Sequence, residues 1–420
     1  LITSALSQVI APGLFEANLA QPNLTFQEAT ELAKEHPTPF LVLSPTKIRE
    51  NIERLRYHLP GVRIYYAMKS NPSKHIMRIV RDLVDGIDVA SFGEVRVCEK
   101  MGISSDRLVH SHPIKKQSDL KICYERGVRW FVFDNKCEIP KLRESAPAAN
   151  FLLRVAIRND HCIVNLSSKF GAQKEDVVPL LREARKSGLN VRGIAFHVGS
   201  QCTDPLTYLS ALEYVRGIFD AACSLGLSLD TLDIGGGFPV SYRESLPNLG
   251  EFCEVVSDAI GSFFPSGVAI LAEPGRCISG DSITLVTRVI GSSKRDGVTW
   301  YYIDDGVYGA FSGKFFDNCD YRLVPSRNGR PTRCVVAGPT CDSIDIVARD
   351  QQLPPLAIGD LILVPGMGAY TSASATSFNG FPPPAVVVFP RESCRTQRHR
   401  RVAVKEVTPE AHAPLAMKEA

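Results

Sequence analysis

Ile64-Tyr65-Tyr66-Ala67-Met68-Lys69-Ser70-Asn71-Pro72 is the stretch on which the fold turns. Five mostly apolar residues in a row read as a strand buried on both faces. A lysine follows at its C-terminal end, and Ser-Asn-Pro then marks a turn. In (β/α) enzymes the chemistry collects at the C-terminal ends of the strands, so Lys69 stands where a catalytic group belongs. Partial desolvation would lower the pKa of its ammonium and free the amine to form a Schiff base with an aldehyde cofactor. Taken alone, Lys69 reads more readily as the opening of a surface loop; its weight comes from what surrounds it in the chain.

Outward from this stretch a regular alternation appears. Apolar strand-like runs occur at Ile64–Met68, Gly86–Ala90, Arg107–His110, Trp130–Phe133, Phe151–Val155, Gly193–His197, Thr231–Ile234 and Ala269–Ala272. Helical patterns lie between them, among them His75–Leu83, Glu94–Met101, Lys116–Glu125, Val177–Lys186, Thr207–Ser224 and Leu249–Phe263. Eight strands alternating with helices predict an α/β fold of the (β/α)8, TIM-barrel type over residues 37–280. Upstream, Phe40–Leu43 reads as a further strand, Thr46–His58 as an amphipathic helix, and Phe26–Glu35 as a helix capped by Thr25. Beyond residue 280 the helical spacing stops. Ser282–Gly291, Val298–Asp304, Arg333–Ala337, Asp360–Val364 and Ala385–Phe389 predict an antiparallel β-domain over 281–390. Residues 391–420 form a basic C-terminal tail.

Composition narrows the classes. Of the 420 residues 44% are hydrophobic and 22% charged, the balance of a soluble globular protein. The net charge of +3 gives no ground for nucleic acid. The basic run from Arg391 to Arg401 lacks interleaved aromatics for stacking on bases and reads as a solvated tail. No stretch reaches the length of a transmembrane helix, and Leu1–Ala20 has neither a basic leader nor a long apolar core, so no membrane partner is expected. The chain opens on Leu1 and not Met, from which a longer gene product is expected. Its twelve cysteines include no CxxC pair, which fits reduced cytosolic thiols better than a disulfide framework and gives no metal-ligand spacing. The expected location is the cytoplasm.

The ends of the predicted strands carry polar residues or glycine: Lys69, Asp88, Ser91, His110, Asp134, Arg154, His197 with Ser200, Gly235-Gly236-Gly237, and Glu273 with Arg276. Three glycines in Leu232–Pro239 let backbone N–H groups turn toward an anion, although a tight turn with no ligand explains them too. Arg276 supplies a charge-assisted donor for the same anion and Ser200 a hydroxyl. A phosphate site beside a Schiff-base lysine points to pyridoxal 5′-phosphate (PLP). Glu273 then acts at the pyridine nitrogen, keeping it protonated.

Seven segments appear in an order that resembles the fold type III, alanine-racemase-like PLP decarboxylases. They are Tyr66-Ala-Met-Lys69, His197-Val-Gly-Ser200, Asp233-Ile-Gly-Gly-Gly-Phe-Pro239, Glu273-Pro-Gly-Arg276, Asp305-Gly-Val-Tyr-Gly309, Gly338-Pro-Thr-Cys-Asp342 and Met367-Gly-Ala-Tyr370. The set most resembles the ornithine and lysine/ornithine decarboxylases and spans about Pro37 to Phe381. The resemblance implies that residues 1–36 fold back against the β-domain. It also implies that Lys69 holds PLP, that Glu273 meets the pyridine nitrogen, and that His197 lies against the ring. Ser200, Gly236, Gly237, Gly275, Arg276 and Tyr370 would surround the cofactor and its phosphate, with Asp88 and Arg154 close by. Cys341 would come from the second subunit of a homodimer and protonate the product carbon. Asp317 and Asp342 would receive the terminal ammonium of L-ornithine or L-lysine, yielding putrescine or cadaverine on the route to polyamines, and Phe316 would border that tail. Phe316 stands where relatives often carry Tyr, and Met68 and Ser70 where they often carry Val and Cys. Two other readings stand beside this one. One is a decarboxylase for meso-diaminopimelate or a conjugated diamine or siderophore precursor, against which Asp342 speaks, because diaminopimelate enzymes usually place Glu there. The other is a catalytically inactive regulatory homologue, which has no use for Lys69, Glu273, Arg276 and Cys341 together.

Overall fold

Eight short parallel strands close into a ring, and the strand that leads to Lys69 is the first of them. The computed structural model describes residues 19–242, 246 and 248–390; the basic run from Arg391 lies outside them. Strand β1 (Phe40–Leu43) precedes the ring. The following strands are β2 (Arg63–Ala67), β3 (Gly86–Val89), β4 (Leu108–His110), β5 (Trp130–Phe133), β6 (Asn150–Val155), β7 (Cys162–Val164), β8 (Asn190–Phe196), β9 (Ser200–Cys202), β10 (Thr231–Asp233) and β11 (Ala269–Ala272). The barrel runs β2-β3-β4-β5-β6-β8-β10-β11 and closes where Leu271 and Ala272 pair with Arg63 and Ile64. Strands β7 and β9 stand apart as an antiparallel ribbon beyond the barrel rim. Inside the ring Tyr65, Val109, Val132, Leu152, Ala195 and Leu271 pack together, while the opposite faces of the strands meet the helices. Strands covered on both faces need no polar alternation, which is why they read as continuous apolar runs.

The remaining strands are β12 (Ile283–Arg295), β13 (Val298–Ile303), β14 (Val324–Pro325), β15 (Thr332–Ala337), β16 (Ile346–Leu353), β17 (Leu361–Pro365) and β18 (Ala385–Val388). They form a sheet in the order β14-β17-β12-β13-β15-β16, with β1 added beside β12 and β18 beside β1. Most ladders are antiparallel, as the sequence predicts, but the sheet is mixed: β13 pairs parallel with β15, and β1 with β18. A parallel pair needs a crossover. Residues 304–331, the crossover between β13 and β15, carry Tyr308 and Asp317.

One boundary moves. The barrel segment expected from residue 37 begins later, because Phe40–Leu43 lies in the sheet, antiparallel to β12 and parallel to β18. All four residues are buried, so an apolar run suits either setting and periodicity alone cannot choose. Ser44 then caps the helix Pro45–His58, accepting a hydrogen bond from the Lys47 amide, and the chain passes into the barrel. The helix Phe26–Glu35 starts with the expected cap, Thr25 and Glu28 bonding reciprocally. Its Ala29 and Leu32 pack with Phe40, Val42, Val286, Leu361 and Leu363, so residues 19–36 lean on the sheet. No helix among the described residues is long and apolar enough to cross a membrane.

Candidate active site

Strand β2 ends at Ala67, and a single 3-10 turn, Met68–Ser70, presents Lys69 at the barrel mouth. Neighbours on three sides hold the turn. The Ala67 amide donates to Pro274 O (3.1 Å), the Tyr370 amide to Ser70 O (2.9 Å), and Asn71 Nδ2 to Gly368 O (2.8 Å). Lys69 Nζ forms an ion pair with Asp88 at the end of β3, and the Ser111 hydroxyl donates to the other oxygen of that carboxylate. Burial alone would lower the lysine pKa, but Asp88 and then Glu273 outweigh it and hold the ammonium above its ordinary range. The expectation of a lowered pKa is therefore corrected, because two buried carboxylates converge on the one amine.

Glu273 follows β11 and is buried; its Oε1 has no hydrogen-bond partner. Burial first, then Asp233 and Asp88, push its carboxyl well above the carboxylate range. Asp233, at the end of β10, is pushed up to about 6, chiefly by burial, although its Oδ1 accepts the Gly235 amide at 2.8 Å. Gly236 keeps the space between these groups clear. A Cβ there would stand 2.6 Å from Glu273 O and 3.3 Å from His197 Nε2. The Gly199 amide donates to His197 Nδ1 at 2.9 Å, which places the proton of the neutral ring on Nε2. Burial, with Arg154 and Lys69 nearby, keeps that ring neutral.

On the other side of the mouth lies a donor cluster. Arg276 Nη2 donates to Ser200 Oγ (2.8 Å), Nη1 donates to the Tyr242 hydroxyl (2.9 Å), and the guanidinium lies 4.8 Å from the Tyr370 ring centroid. Its Nε has no partner. Gly237, at φ +120°, adopts a conformation that a side chain would resist, and a Cβ there would stand 2.5 Å from Gly199 O. Asp317 does not stand free: its carboxylate is paired with Arg276.

Comparison with known proteins shows the family. The family profile described as "Pyridoxal-dependent decarboxylase, pyridoxal binding domain" matches residues 45–280. The chain is 41% identical over 367 residues to lysine/ornithine decarboxylase of Selenomonas ruminantium, covering 87% of this chain and 93% of that one. The chain belongs to the pyridoxal-dependent decarboxylases. Among solved structures, SrLDC in complex with PLP and cadaverine superposes with a TM-score of 0.83 at 40% identity, covering 88% of this chain and 95% of that one. The lysine/ornithine decarboxylase of Vibrio vulnificus complexed with putrescine does so at 0.82 and 35%, covering 87% and 99%.

The decarboxylase is a PLP-dependent carboxy-lyase, and its mouth fits that cofactor. The unpartnered Glu273 Oε1 is a buried acceptor without a donor, which an N–H of a pyridine ring satisfies. Arg276, whose Nε is unpartnered, and the Ser200 hydroxyl beside it are groups that would suit a phosphate, and Gly236 and Gly237 leave room where a Cβ would intrude. Arg154 lies in the field of Glu273, Asp134 and Asp233, with burial lowering its pKa. Gly275 does different work: a Cβ there would stand 2.8 Å from that of Ser70, so its bareness lets the Arg276 turn approach the lysine turn.

Other expected residues lie elsewhere. Cys341 is exposed, its amide bonded to Asn379 Oδ1 (3.1 Å), and Asp342 accepts the Tyr308 hydroxyl at 2.5 Å. Within one chain no hydrogen bond among the described residues joins either of them to Lys69, Glu273 or Arg276. Phe316 is 71% exposed. Sequence reasoning missed Asp233, Ser111, Tyr242 and Cys319 as parts of the mouth. Asp233 carried a usable signal, an acid closing a buried strand before three glycines. Tyr242 and Cys319 reach Arg276 from loops, and nothing local marks them.

Proposed function

We propose that the decarboxylase removes the α-carboxylate of L-ornithine and L-lysine, giving putrescine and cadaverine, at sites completed by a second copy of the chain. The observation that carries this reading is the unpartnered, buried Glu273 oxygen at the same barrel mouth as Lys69 and Arg276, in a chain so similar to a lysine/ornithine decarboxylase. PLP, bound there, supplies an electron sink for the pair left behind when CO2 departs. Lys69 is its attachment point, and Asp88 orients the lysine. Glu273 would meet the pyridine nitrogen, His197 would stand beside the ring as a neutral imidazole, and Arg276, Ser200, Gly237 and Tyr370 would take the phosphate. Cys341 delivers a proton to the substrate carbon. Asp317 and Asp342 neutralise the terminal ammonium, since a cation taken into a buried site needs compensation.

Sharing between two copies accounts for the position of Cys341 and Asp342. Their loop is flanked by exposed Ile344, Phe378 and Phe381, with Phe315 and Phe316 exposed near Asp317. Exposed apolar side chains such as these suit a surface that another protein surface covers. The cytosol suits the chain, because all eleven described cysteines are free thiols. Release of CO2 across ornithine, lysine, arginine and meso-diaminopimelate tests the substrate class: turnover of ornithine and lysine is expected, and turnover confined to diaminopimelate or to arginine overturns it.

A further inference from the structure

Of the twelve cysteines the proposed reaction uses one, Cys341. Two others face each other. In the ribbon of β7 and β9, Cys162 stands opposite Cys202 in register, and Val164 opposite Ser200. The hydrogen bonds identify the kind of pair. One residue outside it, the Thr203 amide donates to His161 O (2.9 Å), while the Cys202 amide turns away from β7 to Gly237 O (2.8 Å). Cys162 and Cys202 therefore occupy a non-hydrogen-bonded position, where facing Cα atoms approach to about 4.5 Å and side chains lie closest. A disulfide spans Cα separations of about 4.4–6.8 Å. Both sulfurs border the same residue: Cys162 Sγ lies 3.4 Å from Asn159 O, and Cys202 Sγ 3.5 Å from Asn159 Nδ2. Cys202 is fully buried and Cys162 partly open, so a reagent reaches Cys162 first.

The geometry points to a reversible Cys162–Cys202 disulfide, formed by exchange with a low-molecular-weight disulfide, that clamps the ribbon carrying Ser200. Cys162 loses its proton to solvent, and its sulfur attacks one sulfur of the small disulfide, expelling the other half as a thiolate. Cys202 then gives up its proton, and its sulfur attacks the Cys162 sulfur of the mixed disulfide, expelling the second thiolate. Two protein thiols are oxidised and one small disulfide is reduced to two thiols. Burial raises the pKa of both thiols, so the exchange is slow at neutral pH and quickens as pH rises.

The ribbon is coupled to the cofactor side of the site. Ser200 receives Arg276, and Cys202 holds the Gly237 carbonyl. Gly199 lies so close to Cys162 that a Cβ would collide with its sulfur. A covalent tie between the strands holds β9, with Ser200 and the Cys202 amide that meets Gly237, against β7, and the oxidised protein releases PLP more slowly. This second step rests on the proposed roles of Ser200 and Gly237; formation of the disulfide does not.

The test uses the reduced, PLP-loaded full chain, incubated with oxidised glutathione at mildly alkaline pH, alkylated, and digested without reductant. A peptide pair joined through Cys162 and Cys202 is expected. Cys202→Ser is expected to trap glutathione on Cys162, and Cys162→Ser to leave Cys202 a free thiol. Wild-type protein that keeps glutathione on Cys162 with Cys202 free overturns the pair. So does protein in which both stay free while exposed Cys137 and Cys223 react. PLP release is then followed by the loss of cofactor absorbance into an aldehyde scavenger. It is expected to be several-fold slower after oxidation, to recover with a phosphine reductant, and not to respond to oxidant in Cys162→Ser. Equal or faster release from fully cross-linked protein overturns the clamp alone.

Discussion

Arg276 and Asp317 hold each other in an ion pair whose side chains are only 4% and 9% exposed. The guanidinium is the group proposed for the cofactor phosphate, and the carboxylate the one proposed for the substrate ammonium. If Arg276 takes the phosphate as proposed, that phosphate would compete with Asp317 for the guanidinium. Asp317→Asn removes that competitor and is expected to tighten PLP binding. The PLP-free protein should lose stability, by at most about 3–5 kcal/mol, the cost of leaving a buried charge unpaired. Fluorescence titration with PLP and the Tm of the PLP-free protein measure the two effects. Weaker PLP binding in the variant would show that the carboxylate instead helps Arg276 hold phosphate.

Lys69 is held as an ammonium by Asp88 and Glu273, so attachment of an aldehyde must wait for a proton to leave. The loading rate of PLP should rise with pH. In Asp88→Asn the first of the raising charges is gone, the lysine pKa drops, and the rise should begin at lower pH. Stopped-flow absorbance across pH reads this directly; coincident profiles would remove Asp88 from the role.

Glu273→Gln retains size and hydrogen bonding but cannot carry the charge that keeps a pyridine nitrogen protonated. The variant is expected to bind PLP, with absorbance that borohydride bleaches, and to lose about 10²–10³ in kcat, the scale of removing one preorganised electrostatic partner. Near wild-type kcat would place the essential acid elsewhere.

Tyr308 donates to Asp342 and lowers the pKa of that carboxyl. A depressed pKa keeps the carboxylate charged as pH falls, so losing the donor lets it protonate earlier. Tyr308→Phe should raise the KM for ornithine and lysine together and move the acid limb of kcat/KM to higher pH, with PLP affinity unchanged. An unmoved limb counts against Asp342 as the ammonium's partner.

Two inactive variants test the shared site. Mixed Lys69→Ala and Cys341→Ala subunits, exchanging at random between two-fold dimers, leave one intact site in each heterodimer and about a quarter of wild-type activity. No recovery, with exchange verified by mass, would confine the site to one chain.

Much of this architecture was legible because its signals are local. Each barrel strand is an apolar run that delivers a polar residue, and Lys69, His197 and Glu273 all stand at such ends. What remained hidden depends on partners distant in sequence. The direction of the Lys69 pKa follows from Asp88 and Glu273 meeting in space, and the pairing of Asp317 from Arg276, on a different element. Strand β16 was missed because its Arg-Asp-Gln-Gln centre reads as a loop, although Ala348, Gln351 and Leu353 turn inward. The helix Glu138–Ser145 was missed because Pro140 suggests a break, yet it lies in the first turn, where the lost N–H has no partner to lose.

Strand β1 has a consequence for the order in which the protein matures. Its two neighbours are β12 and β18, and β18 ends only at Val388. A ribosome making the chain completes every barrel strand before either neighbour of Phe40–Leu43 exists, so four apolar residues wait as an uncovered edge. The half of the molecule that carries Lys69 and Glu273 can take shape first. The half that presents Asp317, Cys341 and Asp342 is sealed only when nearly the whole described chain has been synthesised.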